Sequence, residues 1–329
     1  MSSSSSLNIK QICFSIIISL ISVSIALLVA EVALRIKNSD GKNYHIEMWK
    51  YSRDLKQRSS NPVLGHEHIP NEVAQLQNVE IRINEHGMRG SSFPGIQGDQ
   101  RRIMFLGSSA TLGWGVQEES TMTSVIEHKF NQDGVDDVVI MNAGIGNYNA
   151  KRYTELFLTK NKELKPTDIV VNYYLNDAEV LEQGGGNILI RNSEIAITFW
   201  ILINRFLTKN NENYLLEHYK TIYKSDYKGF REMKSSLTKL ARYAIENDIR
   251  LYFMMMPEVY DLKNYEYSFV HDVMKKIVNE LGYIYIDALE TMQNVEDTKS
   301  LWAMPGDPHP NAKAHSIFAS GIFPVLKKQ

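Results

Sequence analysis

The sequence predicts an α/β fold, namely a three-layer α/β/α domain with a five-stranded parallel sheet, preceded by an N-terminal transmembrane helix. Two patterns predict this. Residues 12–30 contain no charged side chain. From residue 101 onward, five short apolar runs alternate with stretches of helical periodicity. The length of 329 residues allows one large domain with an appendage, or two domains.

Composition excludes several classes of protein. Apolar residues make up 43% of the chain and charged residues 22%, which is typical of a globular protein and not of a disordered or polytopic membrane chain. Lysine and arginine total 36 against 38 acidic residues, so no basic excess indicates a nucleic-acid partner. The single cysteine, Cys13, excludes an intrachain disulfide and a cysteine-based zinc site.

The predicted transmembrane helix covers residues 12–34 and follows a polar tail of residues 1–11. Its only ionisable side chains are Cys13, which we expect to be inert, and Glu31. The 19 uncharged residues 12–30 would form about 28 Å of helix, close to the roughly 30 Å of a hydrocarbon core.

An uncleaved anchor is favoured over a cleaved signal peptide. The apolar run is longer than the usual signal-peptide core of roughly 7–15 residues, and no small-x-small cleavage site follows it. The charges that flank the span bear on the side of the membrane. Arg35, Lys37 and Lys42 follow the span, and the positive-inside rule would place the large domain in the cytoplasm. Long domains translocate despite such a bias.

Residues 35–78 read as a polar juxtamembrane segment, and the predicted globular domain covers residues 79–329. Within the polar segment we interpret His66 and His68 as solvated, because no matching carboxylate accompanies them. A short strand is expected at residues 79–83, followed by a turn at residues 84–87.

Five runs bounded by Gly, Pro, Asn or Asp predict the buried strands of the sheet, at residues 103–106, 138–142, 168–174, 250–256 and 283–287. Helical spacing is found at residues 125–130, 151–161, 230–247 and 268–281. Strands that alternate with helices indicate a parallel sheet covered on both faces. In such sheets the active site lies at the carboxyl ends of the strands.

Each strand end offers a functional and a plain structural interpretation. Ser109 follows the first strand in a Gly/Ser-rich turn, as a nucleophile or as part of a connecting loop. Gly146 lies in the turn after the second strand, and Asn176 follows the third. Both could donate hydrogen bonds to an oxyanion, or they could serve a tight turn and a helix cap. His309 lies between two prolines, two residues after Asp307, which suits a general base oriented by a carboxylate.

These four segments resemble the SGNH hydrolase superfamily, the GDSL lipases and esterases. That family has a Gly-Asp-Ser-x-Thr-x-Gly block, a block with an oxyanion glycine, a Gly-x-Asn-Asp block and a late Asp-x-x-His-Pro block. In this chain Ser108 replaces the Asp of the first block, and the register of the block makes Ser109 the nucleophile. Residues 84–90 also resemble a segment that precedes the first block in membrane-anchored members.

Two further departures from the family pattern concern the pocket and the acid. Tyr174 stands where the third block usually has Gly, so the pocket would be narrower. The Asp of the last block lies two residues before His309 instead of three, which leaves open whether Asp307 is the acid. Gly146 matches the oxyanion glycine best, with Gly144 as the alternative.

The resemblance implies a flavodoxin-like fold and a membrane-anchored serine esterase that hydrolyses an O-acyl or O-acetyl ester. Ser109 would attack the ester, with His309 as base and Asp307 as acid. The oxyanion would be met by the Ser109 and Gly146 N–H groups and the Asn176 amide. No metal or organic cofactor is required. The expected substrate is an acylated carbohydrate or a lipid, outside the cytoplasmic membrane. The alternatives are an O-acyltransferase of envelope polysaccharide and an inactive carbohydrate-binding module.

Two other apolar stretches need an interpretation. The uncharged part of residues 187–207 is too short to span a bilayer. These residues predict either a helix packed on the domain, or a lid or membrane-facing helix. The three methionines at residues 254–256 end a predicted strand and are expected in the core.

Overall fold

The computed structural model describes residues 9–93, 98, 100–181, 188–207 and 214–328. Residues 1–8 of the predicted tail, residue 187 and residue 329 lie outside this part. The chain divides into two compact units, the first formed by residues 1–49 and 185–209, the second by residues 50–184 and 210–329. Residues 50–78, assigned above to a juxtamembrane segment, are therefore part of the second unit.

The helices are, in chain order, α1 (Ile9–Lys37), α2 (Tyr44–Asp54), α3 (Ser109–Leu112), α4 (Met122–Gln132), α5 (Ala150–Thr159), α6 (Ile188–Asn192), α7 (Glu194–Leu207), α8 (Tyr214–Ile222), α9 (Lys228–Glu246), α10 (Ser268–Glu280), α11 (Ala288–Met292) and α12 (Ala312–Lys327). The strands are β1 (Lys56–Arg58), β2 (His66–His68), β3 (Val73–Leu76), β4 (Val79–Arg82), β5 (Arg101–Gly107), β6 (Val138–Gly144), β7 (Asp168–Tyr173), β8 (Arg250–Met255), β9 (Ile284–Asp287), β10 (Trp302–Met304) and β11 (Asp307–Pro310).

The second unit is built on a five-stranded sheet of order β6-β5-β7-β8-β9. All neighbouring strands are parallel, which confirms the predicted sheet. Gly107 at the end of β5 lies opposite both Gly144 and Asn172, so three strands end at the same level. After β5 the chain adds β6 on one side of that strand, and then crosses over to add β7 on its other side. This reversal opens a crevice at the carboxyl ends, where such sheets bind ligands.

Helices cover both faces of the sheet. Since alternate strand residues point to opposite faces, each strand contributes side chains to two separate cores. Met104 and Leu106 of β5 join a core with α5, α9 and α10. Ile103 and Phe105 join a second core with α4, α11 and α12. The predicted strands and helices are thus confirmed in kind and order, and the methionines at 254–256 are buried as expected.

In the described part of the chain, three antiparallel hairpins accompany the sheet, formed by β1–β2, β3–β4 and β10–β11. The turn between β3 and β4 consists of Gln77 and Asn78, whose φ angles of 51° and 62° are those of a tight two-residue hairpin turn. His309 lies on β11, so the segment between the two prolines is a short strand and not only a turn.

The first unit contains α1, the start of α2, α6 and α7. Helix α1 is long and apolar enough to cross a membrane, and none of its most apolar stretch is buried. A signal sequence near the N-terminus would fit the same description. Ile197 of α7 packs with Ile46 and Trp49 of α2 in a small apolar cluster.

Candidate active site

Ser109 is presented by a tight turn between β5 and α3. The turn requires glycine at position 107, because a Cβ there would lie 2.0 Å from Thr111 Oγ1 and 2.8 Å from the Asn172 carbonyl oxygen. Ser109 is the first residue of α3. Backbone N–H groups in the first turn of a helix have no acceptor within the helix. The serine therefore combines a hydroxyl with an available amide at the sheet edge.

Ser109, His309 and Asp307 lie in hydrogen-bonding contact. The Ser109 Oγ atom is 2.9 Å from His309 Nε2, and His309 Nδ1 is 2.6 Å from Asp307 Oδ1. Asp307 and His309 are two residues apart on extended β11, so their side chains point to the same side of the strand. This geometry explains how an acid two residues before the histidine reaches it. With Nδ1–H donated to the carboxylate, Nε2 is the acceptor for the serine hydroxyl.

The other oxygen of Asp307 is held by two residues that the sequence did not indicate. Gln77 Nε2 donates to Asp307 Oδ2 at 2.6 Å, and Trp114 Nε1 donates to it at 3.1 Å. The Asp307 side chain is fully buried. Burial alone would raise the pKa of Asp307, but the hydrogen bond and charge of His309, together with Gln77, hold the pKa below its ordinary value. The carboxylate is therefore ionised beside the imidazole.

Arg89 fixes the loop that carries Trp114. Its guanidinium donates to the carbonyl oxygens of Leu112 at 2.9 Å, Gly113 at 2.6 Å and Val116 at 2.5 Å. Burial lowers the pKa of Arg89 to about 10, so the group stays charged. Residues 84–90, which resemble a segment of membrane-anchored members of the family, thus hold the loop after Ser109 in place through Arg89.

The loop after β6 differs from the expected oxyanion arrangement. The Gly146 N–H donates to the Tyr51 hydroxyl at 2.9 Å. A Cβ at position 146 would lie 2.6 Å from the Tyr51 ring. The alternative donor, Gly144 N–H, is bonded to Asn142 Oδ1 at 3.1 Å. Neither glycine offers a free amide. Asn147, exposed and with a φ of 65°, follows them, and its N–H has no hydrogen-bond acceptor among the described residues.

The interpretation of His66 and His68 as solvated is wrong. His66 Nε2 is 3.0 Å from the Gly146 carbonyl oxygen, which also accepts from Lys56 Nζ at 3.2 Å. His68 Nε2 is 2.7 Å from the Tyr51 hydroxyl. Burial lowers the pKa of His66 to about 2 and that of His68 to about 3, so both are neutral near pH 7. The β1–β2 hairpin holds the loop after β6.

The third block brings an additional carboxyl group to the site edge. Asn176 lies exposed in the 3₁₀ helix that directly follows β7. Tyr174, which replaces the usual Gly, donates its hydroxyl to Glu258 at 2.5 Å. Burial raises the pKa of Glu258, and the hydrogen bonds from the Tyr174 hydroxyl and the Val259 N–H partly offset this. Glu258 follows β8, and sequence reasoning missed it, since nothing in its local pattern distinguishes it from an ordinary loop carboxylate.

One other expectation concerns a group outside this arrangement. His315, interpreted as structural, is buried and its Nδ1 accepts the Met122 N–H at the start of α4 at 2.9 Å. In the part of the chain that the structure describes, no group of three or more His, Cys, Asp and Glu side chains could hold a metal ion.

Several solved structures resemble this chain. The psychrotrophic esterase EstA from Pseudoalteromonas sp. matches at 14% identity, over 69% of this chain and 97% of EstA, with a TM-score of 0.43. The acetylxylan esterase Axe2 from Geobacillus stearothermophilus matches at 13% identity, over 69% and 94% of the two chains, with a TM-score of 0.47. TesA matches at 13% identity, over 69% and 99%, with a TM-score of 0.44. No protein-family model and no curated protein matches the sequence.

Two of these three structures are esterases by name. The sheet order and the flanking helices agree with the fold class expected from the motifs. The chain thus has a five-stranded parallel sheet covered by helices on both faces, with a serine, a histidine and an aspartate in contact at the carboxyl edge of the sheet.

Proposed function

We propose that this protein is a membrane-anchored serine esterase of the SGNH type that hydrolyses O-acyl esters. The observation that carries the proposal is the hydrogen-bonded series Ser109, His309 and Asp307. Ser109 Oγ attacks the ester carbonyl while His309 Nε2 takes its proton. The ionised Asp307 stabilises the imidazolium that forms. His309 then protonates the leaving alcohol, and water, activated by the same histidine, releases the acid from the acyl-enzyme.

The oxyanion of the tetrahedral intermediate is stabilised by the Ser109 N–H and the Asn176 side-chain amide in this mechanism. A third donor comes from the loop after β6. The sequence assigned it to Gly146, but that N–H is bonded to Tyr51, so we assign the donor to Asn147. Loss of one such donor costs about 3–4 kcal/mol of transition-state stabilisation in other serine hydrolases.

Acetylated carbohydrate is the substrate class that we propose to test first, because Axe2 is an acetylxylan esterase. A chromogenic acetyl ester reports hydrolysis directly, and an added sugar acceptor reports acyl transfer.

Helix α1 serves as an uncleaved anchor in this proposal. Glu31, near its carboxyl end, accepts hydrogen bonds from Ser193 Oγ at 2.9 Å and from the N–H groups of Glu194 and Ile195 at 2.9 and 3.0 Å. Removal of the helix as a signal peptide would leave these donors of the first turn of α7 unpaired. The hydrogen bonds therefore support retention of α1.

The test of the esterase proposal compares two adjacent serines. We expect Ser109→Ala to lower kcat for a chromogenic acetyl ester by at least a thousandfold, because the nucleophile is lost. Ser108→Ala is the matched control, and we expect it to keep most of the activity, since the Ser108 side chain makes no capping hydrogen bond. A folded Ser109→Ala variant that still hydrolyses the ester would refute the proposal.

A further inference from the structure

Helix α7 buries an acidic residue and exposes a wide apolar face, which is unusual for a helix of a water-soluble protein. Glu194 is buried, and Asn38 Nδ2 donates to its carboxylate at 2.9 Å. Five large apolar side chains of the same helix are instead exposed, with exposed fractions of 63% for Phe199, 51% for Trp200, 52% for Leu202, 57% for Ile203 and 96% for Phe206. A soluble helix normally turns its apolar stripe inward.

The exposed side chains form one continuous face. At 100° per residue, the five residues span an arc of roughly 160°. Ile197 and Ile201 lie outside this arc and pack toward Ile46 and Trp49. None of the five residues belongs to the apolar cluster that the described residues of the first unit form. Exposed apolar surface that is contiguous and large marks a binding surface, whereas scattered single side chains do not.

Hydrogen bonds tie the start of α7 to the end of the apolar part of α1. Glu31 accepts the N–H groups of Glu194 and Ile195, and Arg35 donates to the Asn192 carbonyl oxygen at 3.0 Å. Glu31 is also the first charged residue after the run 12–30. Helix α7 thus begins at the level where α1 would leave the hydrocarbon core.

We propose that the exposed face of α7 lies in the same bilayer as α1, as an interfacial helix in contact with lipid acyl chains. The inference rests on the proposed anchoring by α1. With 14 residues, α7 is about 21 Å long, too short to cross a core of roughly 30 Å. A helix of this length with one wide apolar face is suited to lie at the acyl–headgroup boundary, where tryptophan is enriched. Lipid is favoured over a second copy because α7 is joined to the membrane helix itself.

The experiment uses the full chain in lipid nanodiscs, with Cys13→Ser removing the single cysteine. One cysteine is then introduced and labelled with an environment-sensitive fluorophore. Phe206→Cys tests the exposed face, and Arg205→Cys, its neighbour on the other side of the helix, is the matched control. We expect lipids with a nitroxide on the acyl chain to quench the label at 206 at least threefold more strongly than the label at 205. Iodide in water should quench the label at 205 more strongly.

Two results would overturn the inference. In the first, the labels at 205 and 206 are quenched equally by lipid and by iodide. In the second, the label at 206 is protected from iodide but not quenched by lipid, which means that protein covers the face. A label introduced by Leu20→Cys separates this inference from the anchoring. If lipid quenches the label at 20 but not that at 206, α1 is an anchor and only the interfacial helix is wrong. If lipid quenches neither, the proposed anchoring fails as well.

Discussion

At the scale of single residues, the geometry of the site depends on the hydrogen bonds that the Asp307 carboxylate accepts. Asp307 accepts from the ring and the backbone N–H of His309, from Gln77 and from Trp114. A buried carboxylate stays ionised only when hydrogen bonds replace the lost water. The four donors supply this, and they also fix the direction in which the carboxylate meets the imidazole.

Gln77→Leu should lower kcat/KM by about ten- to a hundredfold, because a hydrogen bond to a charged group contributes roughly 1.5–3 kcal/mol. The measurement is steady-state hydrolysis of a chromogenic acetyl ester. Gln75→Leu is the matched control, since Gln75 is exposed on the same hairpin. Equal activity of the two variants would show that Gln77 does not orient Asp307.

At the scale of elements, the sequence predicted those parts whose pattern is local. The five buried strands read as apolar runs because both faces of the sheet are covered. The blocks follow these strands, so Ser109, Asn176 and His309 could be assigned to one edge. The β1–β2 hairpin could not be predicted, since β1 and β2 have three residues each and β2 is the polar segment His66–His68. Gln77 lies 230 residues from Asp307 in the chain, and no local pattern indicates such a contact.

The hydrogen bond between Gly146 and Tyr51 could not be predicted for the same reason. Gly146 matched the family pattern, and its occupation by Tyr51 follows only from the packing of the N-terminal part of the second unit against the loop. The hydroxyl of Tyr51 is in turn bonded to His68. Tyr51 and His68 thus form a second polar cluster that contacts this loop. Both residues belong to the juxtamembrane segment predicted from the sequence.

Tyr51→Phe should lower the free energy of unfolding by about 2 kcal/mol, because it leaves the buried Gly146 N–H and His68 Nε2 without partners. Esterase activity should fall as the loop loosens. Urea unfolding measures the first effect. Tyr214→Phe is the control, since Tyr214 is mostly exposed on α8. If Gly146 itself is the oxyanion donor, Tyr51→Phe would instead raise kcat, and our assignment to Asn147 would be wrong.

At the other end of the sheet, Asp168 joins three strands. Its buried carboxylate binds Arg101 of β5 at 2.8 Å and Arg250 of β8 at 2.9 Å. Burial alone would raise the pKa of Asp168, but the hydrogen bonds and charges of these partners and Thr167 outweigh it and lower the pKa. A lowered pKa in the folded state stabilises the protein above the unfolded pKa of about 3.9, and this stabilisation is lost as the pH falls through the folded value.

Asp168→Asn should therefore reduce the free energy of unfolding by about 3 kcal/mol at pH 7. The difference from the unmodified protein should shrink as the pH falls below about 4. Urea midpoints measured at pH 7 and in this acid range test both statements, with Asp226→Asn, at an exposed position, as the control. A difference that does not change with pH would mean that packing, and not charge, is responsible.

At the scale of the whole molecule, composition left two interpretations of residues 187–207 open. The apolar residues of α7 could have faced either the domain or a membrane, because periodicity gives the width of an apolar face but not its direction. The burial of Glu194 and the exposure of Phe199 and Phe206 show that the wide apolar face of α7 is exposed in the structure, which agrees with the second interpretation. The same chain section therefore belongs with α1 in the first unit, and not with the sheet.

The side of the membrane is the last prediction. We expect the second unit outside the cytoplasmic membrane, since the motifs resemble those of envelope-acting esterases, although Arg35, Lys37 and Lys42 follow the span and oppose this orientation. Alkaline phosphatase fused after Gln329 should be active, because it folds only outside. A fluorescent protein that folds only in the cytoplasm, fused at the same residue, should stay dark. The opposite pair of signals would reverse the orientation, and the ester substrates would then have to be cytoplasmic esters or lipids instead of envelope carbohydrate.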